Sequence, residues 1–104
     1  MTTTRNAQYY RVEWEADLTD APVVRMQYGI TSFRPIRIHA TYTRHDGQWA
    51  EDTVTISGPQ HKKDGTDGVE TRDNRYSLRH RHDDAPDWVR AIVLANVPRE
   101  VTGR

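Results

Sequence analysis

Apolar and polar residues alternate along most of this chain, and the spacing turns helical only near its end. From Gln8 to Leu18, Tyr10, Val12, Trp14, Ala16 and Leu18 share one face, while Tyr9, Arg11, Glu13, Glu15 and Asp17 share the other. A period of two over that length predicts a half-buried strand. Thr19-Asp20-Ala21-Pro22 reads as a turn, since Pro22 has no N–H to give a ladder. Val23 to Ile30 predicts a second strand with Val24, Met26, Tyr28 and Ile30 inward, and Gly29 and Ser32 suggest a bend near its end. Arg34 to Arg44 predicts a third, with Ile36, Ile38, Ala40 and Tyr42 on the apolar face and Arg37, His39, Thr41 and Thr43 on the polar face. His45-Asp46-Gly47-Gln48 then supplies an Asp-Gly pair, a strong hairpin signal. Trp49 to Ser57 returns as a fourth strand with Val54 and Ile56 inward.

Ser57 to Gly68 is polar and broken by Gly and Pro, so it reads as a loop. Val69 to Arg72 predicts a short edge strand. Arg75 to His82 alternates again, with Tyr76, Leu78, His80 and His82 on one side and Arg75, Ser77, Arg79 and Arg81 on the other. Asp83 to Pro98 is the one marked helix, with Asp84 as N-cap, Pro86 in the first turn, Asp87 at the positive end of the dipole and Pro98 as the stop. Trp88, Ile92 and Ala95 form one row and Val89, Val93 and Asn96 the next. With so few polar residues in its body, this helix is expected to be buried on more than one side, Trp88 and Ile92 against the sheet. Residues 1–7 and 99–104 read as polar tails around one domain at 8–98. The expected architecture is α+β: an antiparallel sheet of four to five strands with one C-terminal helix packed on one face.

Composition changes this picture little. A chain of 104 residues suits one domain with a modest core. Leu, Ile, Val and Phe total only eighteen, a fraction low enough to raise the question of disorder. That reading also requires high net charge, and here 15 basic and 15 acidic residues cancel. Three Trp and five Tyr restore buried area, so the core is expected to be small and aromatic-rich. There is no Cys, hence no disulfide and no thiolate chemistry. The N-terminal stretch lacks the apolar centre of a signal peptide, and no apolar run approaches the roughly 20 residues of a membrane span. The expectation is a soluble, cytoplasmic, non-membrane protein without a cofactor.

The zero net charge conceals alternating blocks. Residues 22–45 carry Arg25, Arg34, Arg37 and Arg44 and no acid; residues 46–71 carry six acids against Lys62 and Lys63; residues 72–82 carry four Arg against Asp73. Cross-strand pairing is the plainer explanation of such blocks.

The Lys63-Asp64-Gly65 loop and the Ala85-Pro86-Asp87-Trp88-Val89 helix, following a β-rich body, resemble small uncharacterised proteins of actinobacteria and their phages. The Arg-to-Lys ratio of 13 to 2 suits a high-GC genome. The resemblance covers the second half of the chain and implies no assigned activity and no functional residues. It is compatible with a phage or mobile-element accessory role, such as inhibition of a host factor.

Three chemistries compete on the residues. The first is a non-enzymatic protein interface, with a foreign partner or in a homodimer. Trp49 beside the hairpin is its anchor, and Thr41 and Thr43 are β-formers without the charge that usually discourages pairing. The second is nucleic-acid binding through a basic strip of Arg37, His39, Arg79 and Arg81, with Tyr9 and Phe33 as exposed stacking rings. Pairing of those bases with Glu13, Glu15 and Asp17 is the plainer alternative. The third is a small metal-dependent enzyme, since His80 and His82 project to one side of a strand and could share an ion. Two imidazoles fall short of the three or four ligands a useful site needs, and the other reading is two polar side chains at a strand end. The loop glycines lack the Gly-Lys-Ser/Thr of a phosphate cradle. No nucleophile or carboxylate pair is specified, so no catalytic residue is expected.

Overall fold

The computed structural model describes residues 2–5, 9–45, 48–78 and 85–102, with backbone only at 2–5, 9–10, 45, 48–51 and 102. Seven strands precede two helices: β1 (Thr2–Arg5), β2 (Tyr9–Asp17), β3 (Val24–Arg25), β4 (Ser32–Phe33), β5 (Arg37–His45), β6 (Gln48–His61), β7 (Asp67–Ser77), α1 (Asp87–Ala95) and α2 (Arg99–Thr102). The strands form one sheet in the order β1-β2-β5-β6-β4-β3, with β7 also paired to β6. The fold is thus mostly antiparallel sheet with few helices, compatible with the α+β class expected but with more strand than the four or five elements foreseen.

The chain divides into two compact units. The first takes Met1–Trp14, Ala40–Val54 and Tyr76–Arg104; the second takes Glu15–His39 and Thr55–Arg75.

In the first unit, β1 pairs antiparallel with β2 from Thr2↔Glu13 to Arg5↔Tyr10, so part of the predicted polar tail is a strand. The alternation holds for Val12 and Trp14 of β2 and Ala40 and Tyr42 of β5, which are buried as is Val54 of β6, but it fails at Ala16, which is exposed near the end of β2. Trp14 Nε1 donates to Tyr42 Oη at 3.3 Å, satisfying a buried indole without breaking the apolar layer. The hairpin residues Asp46 and Gly47 lie outside the described residues; β5 ends at His45 and β6 begins at Gln48.

Helix α1 departs from its expected ends and faces. Its N-cap position is Pro86, with no side-chain cap, while the predicted cap Asp84 lies outside the described residues. Pro86 O accepts the first helical bond from Arg90 N at 3.1 Å, and Arg90 Nε reaches back to Ala85 O at 3.1 Å. Asp87 does stand in the first turn. The buried residues are Val89 and Val93, whereas Trp88 and Ile92 are half-buried and Leu94 is 76% exposed. The helix therefore has one buried stripe, and the Trp88 row flanks it. A short apolar helix carries two plausible stripes one residue apart, and periodicity alone does not choose between them. Pro98 does not open a tail; Val101 N donates to Pro98 O at 2.9 Å as α2 begins.

In the second unit, the predicted second strand is only two residues long, and Val24↔Phe33 and Arg25↔Ser32 pair it with β4. Ser32↔His61 and Phe33↔Gln60 join β4 to β6, and the same register continues through Arg34 N to Pro59 O at 3.0 Å and Ile36 N to Ser57 O at 2.8 Å. Strand β6 thus runs straight through Gly58 and Pro59, and the predicted loop 57–68 shrinks to a tight turn. Lys62 N bonds Thr66 O at 2.8 Å and Gly65 N bonds Lys62 O at 3.0 Å across it. Phe33, Pro35, Ile38, Ile56 and Gly58 are buried in this unit. Phe33 is 0% exposed, which removes it as a stacking ring.

Candidate binding surface

Alternation predicts that Tyr28 and Ile30 point inward, and the opposite is observed. The chain reverses over Gln27–Ile30, and Tyr28 and Ile30 are 88% and 89% exposed. Gly29 takes φ 133°, a value that L side chains rarely adopt, so the reversal depends on it. Met26 N donates to Thr31 O at 2.9 Å and closes the hairpin behind the tip.

This tip is braced from strand β7. The Asn74 side chain is 2% exposed. Its Nδ2 donates to Arg25 O at 2.9 Å, and its Oδ1 accepts from Gln27 N at 2.8 Å. Arg75 N in turn donates to Gln27 Oε1 at 2.9 Å. An amide side chain has both a donor and an acceptor, so Asn74 completes two strand-like bonds at once. The hydrogen-bonded path β3–β4–β6–β7 is thereby closed into a ring. Two large apolar side chains stand on a reversal braced by three hydrogen bonds from β7.

A second polar cluster links Arg34, just after β4, to the start of β7. Arg34 Nε donates to both carboxylate oxygens of Asp67, at 3.3 and 3.2 Å, and Nη2 completes a forked ion pair. The hydrogen bond from Arg34, added to its positive charge, holds the Asp67 carboxyl below the ordinary range and raises the guanidinium. Asp64 Oδ1 accepts from Thr66 Oγ1 at 2.6 Å and Thr66 N at 2.9 Å, and these bonds lower the Asp64 carboxyl. His61 adds a smaller electrostatic push in the same direction to both carboxylates. Each carboxylate is taken up by a structural neighbour, and the described residues hold no group of three potential metal ligands.

The residues singled out from the sequence fare unevenly. Arg37 lies 3.8 Å from Glu15 and 3.7 Å from Asp17, the cross-strand pairing offered as the plainer reading of the charge blocks. His39, Thr41 and Thr43 are half-buried on β5, so the two threonines do not form an open face. Trp49 lies on β6, with its side chain outside the described residues, as is that of Tyr9. Arg79, His80, Arg81 and His82 also lie outside them. The tip was missed because apolar residues two apart look the same on a buried strand and on a protruding reversal. The one signal in the chain that separates them is Gly29. No helix among the described residues is long and apolar enough to cross a membrane.

Compared with known proteins, the chain matches no family model, no curated protein and no solved structure.

Proposed function

We propose that this chain is a non-enzymatic binding protein that engages another protein through the Tyr28–Ile30 tip. The observation that carries the reading is the exposure of both side chains on a reversal fixed by Asn74 and Gln27. A flexible loop would lose entropy on docking, whereas a braced tip has already lost it. Tyrosine is among the residues that dominate interface energetics, because its ring buries large area and its hydroxyl still finds a partner. Arg25, Asp73 and Arg75 are exposed beside the brace and supply a polar rim. A partner of matching shape offers an apolar socket for the ring and the isoleucine. The phage or mobile-element role suggested by the resemblance is one setting for such a module.

The test is a pair of chains, the native one and Tyr28→Ser/Ile30→Ser, used as baits in the source cell with crosslinking and mass spectrometry. Both variants should melt alike, since neither side chain is buried. The reading expects a defined partner that the native tip retains and the double variant loses. A partner held equally by both baits overturns the assignment to the tip. Sedimentation equilibrium separates self-association from a foreign partner, because a native chain that stays at 12.1 kDa forms no stable homodimer.

A further inference from the structure

The first unit contains a cavity of about 300 Å³. That is the lower end of the range for small-molecule pockets. Leu78, Val93, Leu94, Val97 and Val101 are its apolar lining residues, and Tyr42, Asp52 and Arg90 are the polar ones. Among the described residues the wall is mainly apolar, and its one carboxylate and one guanidinium balance, so the site favours no net charge in a guest. The Tyr42 hydroxyl accepts a hydrogen bond from Trp14 Nε1, and a phenol that accepts can also donate its own proton. Burial, with a smaller contribution from Asp52, raises the phenol above its ordinary value, so it remains a donor through neutral pH.

The volume corresponds to roughly ten water-sized atoms at ~30 Å³ each. From these features we infer that the cavity binds a small uncharged amphiphile: an apolar body of roughly that size carrying one acceptor oxygen that meets the Tyr42 hydroxyl. The inference is independent of the tip, which belongs to the second unit.

The experiment titrates the isotopically labelled full chain with benzyl alcohol, toluene, benzoate and benzylammonium, following amide and methyl NMR signals. Benzyl alcohol should give saturable shifts concentrated at Tyr42, Leu78, Val93, Leu94 and Val97. Toluene should bind the same place more weakly by about tenfold, the worth of one net hydrogen bond. Both charged probes should bind more weakly than the alcohol. Tyr42→Phe should bring the alcohol down to the affinity of toluene, with a dispersed spectrum showing that the variant is folded. Val97→Trp, at a half-buried position, should fill the space and abolish the shifts whether or not Tyr42→Phe folds. Shifts that never saturate, a charged probe that binds tightest, or equal affinity of Tyr42→Phe and the native chain for the alcohol would each overturn the inference.

Discussion

Gly58 on β6 sits against Arg34 with no room for a side chain: a Cβ at Gly58 would lie 1.8 Å from the Arg34 carbonyl oxygen. The obstacle is backbone that is itself hydrogen-bonded on both sides, through Arg34 N to Pro59 O and Ile36 N to Ser57 O. It cannot step aside without breaking the β4–β6 register. Gly58→Ala is therefore expected to cost about 3 kcal/mol or more, the upper range for overpacking. Urea denaturation followed by far-UV circular dichroism measures it. A cost of only a few tenths would show that the strands are not so closely apposed.

Asn74 offers a second test. Its removal in Asn74→Ala strands Gln27 N and Arg25 O, each part-buried. Leaving such groups unsatisfied costs about 1–3 kcal/mol apiece, less where water can enter. The expected result is a loss of about 2 kcal/mol, with hydrogen exchange at the Gln27 amide faster by more than at the rest of the second unit. Asn74→Asp keeps the acceptor but sets a carboxylate oxygen against the Arg25 carbonyl in a buried place, so at neutral pH it should cost at least as much as Asn74→Ala.

Helix α1 can be examined through two neighbours of similar chemistry. Val89 is 0% exposed and Leu94 is 76% exposed. Val89→Ala should cost about 2 kcal/mol from lost burial and the cavity left behind. Leu94→Ala should be nearly neutral for stability. The reverse order, measured by thermal melting, would place the buried stripe on the other side of the helix.

The Arg34–Asp67 pair predicts a particular response to acid. The carboxyl of Asp67 titrates lower in the folded chain than in the unfolded one, where a value of about 3.9 applies. Its contribution is thus fully present above about pH 4 and is lost as pH falls through the folded-state value. Carbon-detected NMR of the Asp67 carboxyl should show a depressed midpoint that Arg34→Gln restores toward the ordinary range. Both side chains are partly exposed, so added salt should weaken the effect.

Long regular stretches were legible from sequence and interruptions were not. The inward sets Val12 and Trp14, Ile38, Ala40 and Tyr42, and Val54 and Ile56 all follow the period of two. Each lies where a strand stays paired for many residues, so one face remains committed to the core. Ile36 fails the pattern at 44% exposure beside the buried Pro35, at the break between β4 and β5. Gly58-Pro59 misleads in the other direction. Gly can mark a turn or a close backbone approach, and only the neighbouring strand at Arg34 decides which. The candidate surface was hidden for the same reason. Tyr28 and Ile30 continue an alternating series whose direction is reversed by the positive φ of Gly29, and the brace comes from Asn74, 47 residues from Gln27. Gly29 is the one local sign of the reversal, and the brace is not visible within a local window.

The interleaving of the two units bears on how the chain folds as it is made. The second unit draws on Glu15–His39 and Thr55–Arg75, and the first on segments that flank both. As the chain leaves the ribosome, the ring around Phe33 cannot close until Asn74 emerges. The first unit must wait for Val89 and Val93 beyond it. Translation at ~5–20 residues per second therefore leaves the early strands without their closing partners for several seconds. During that interval β5 and β6 expose apolar faces, and a chaperone holding nascent strands would have its main effect before residue 74 is out. A stalled chain released shortly before that point should aggregate, and one released after the helices should not.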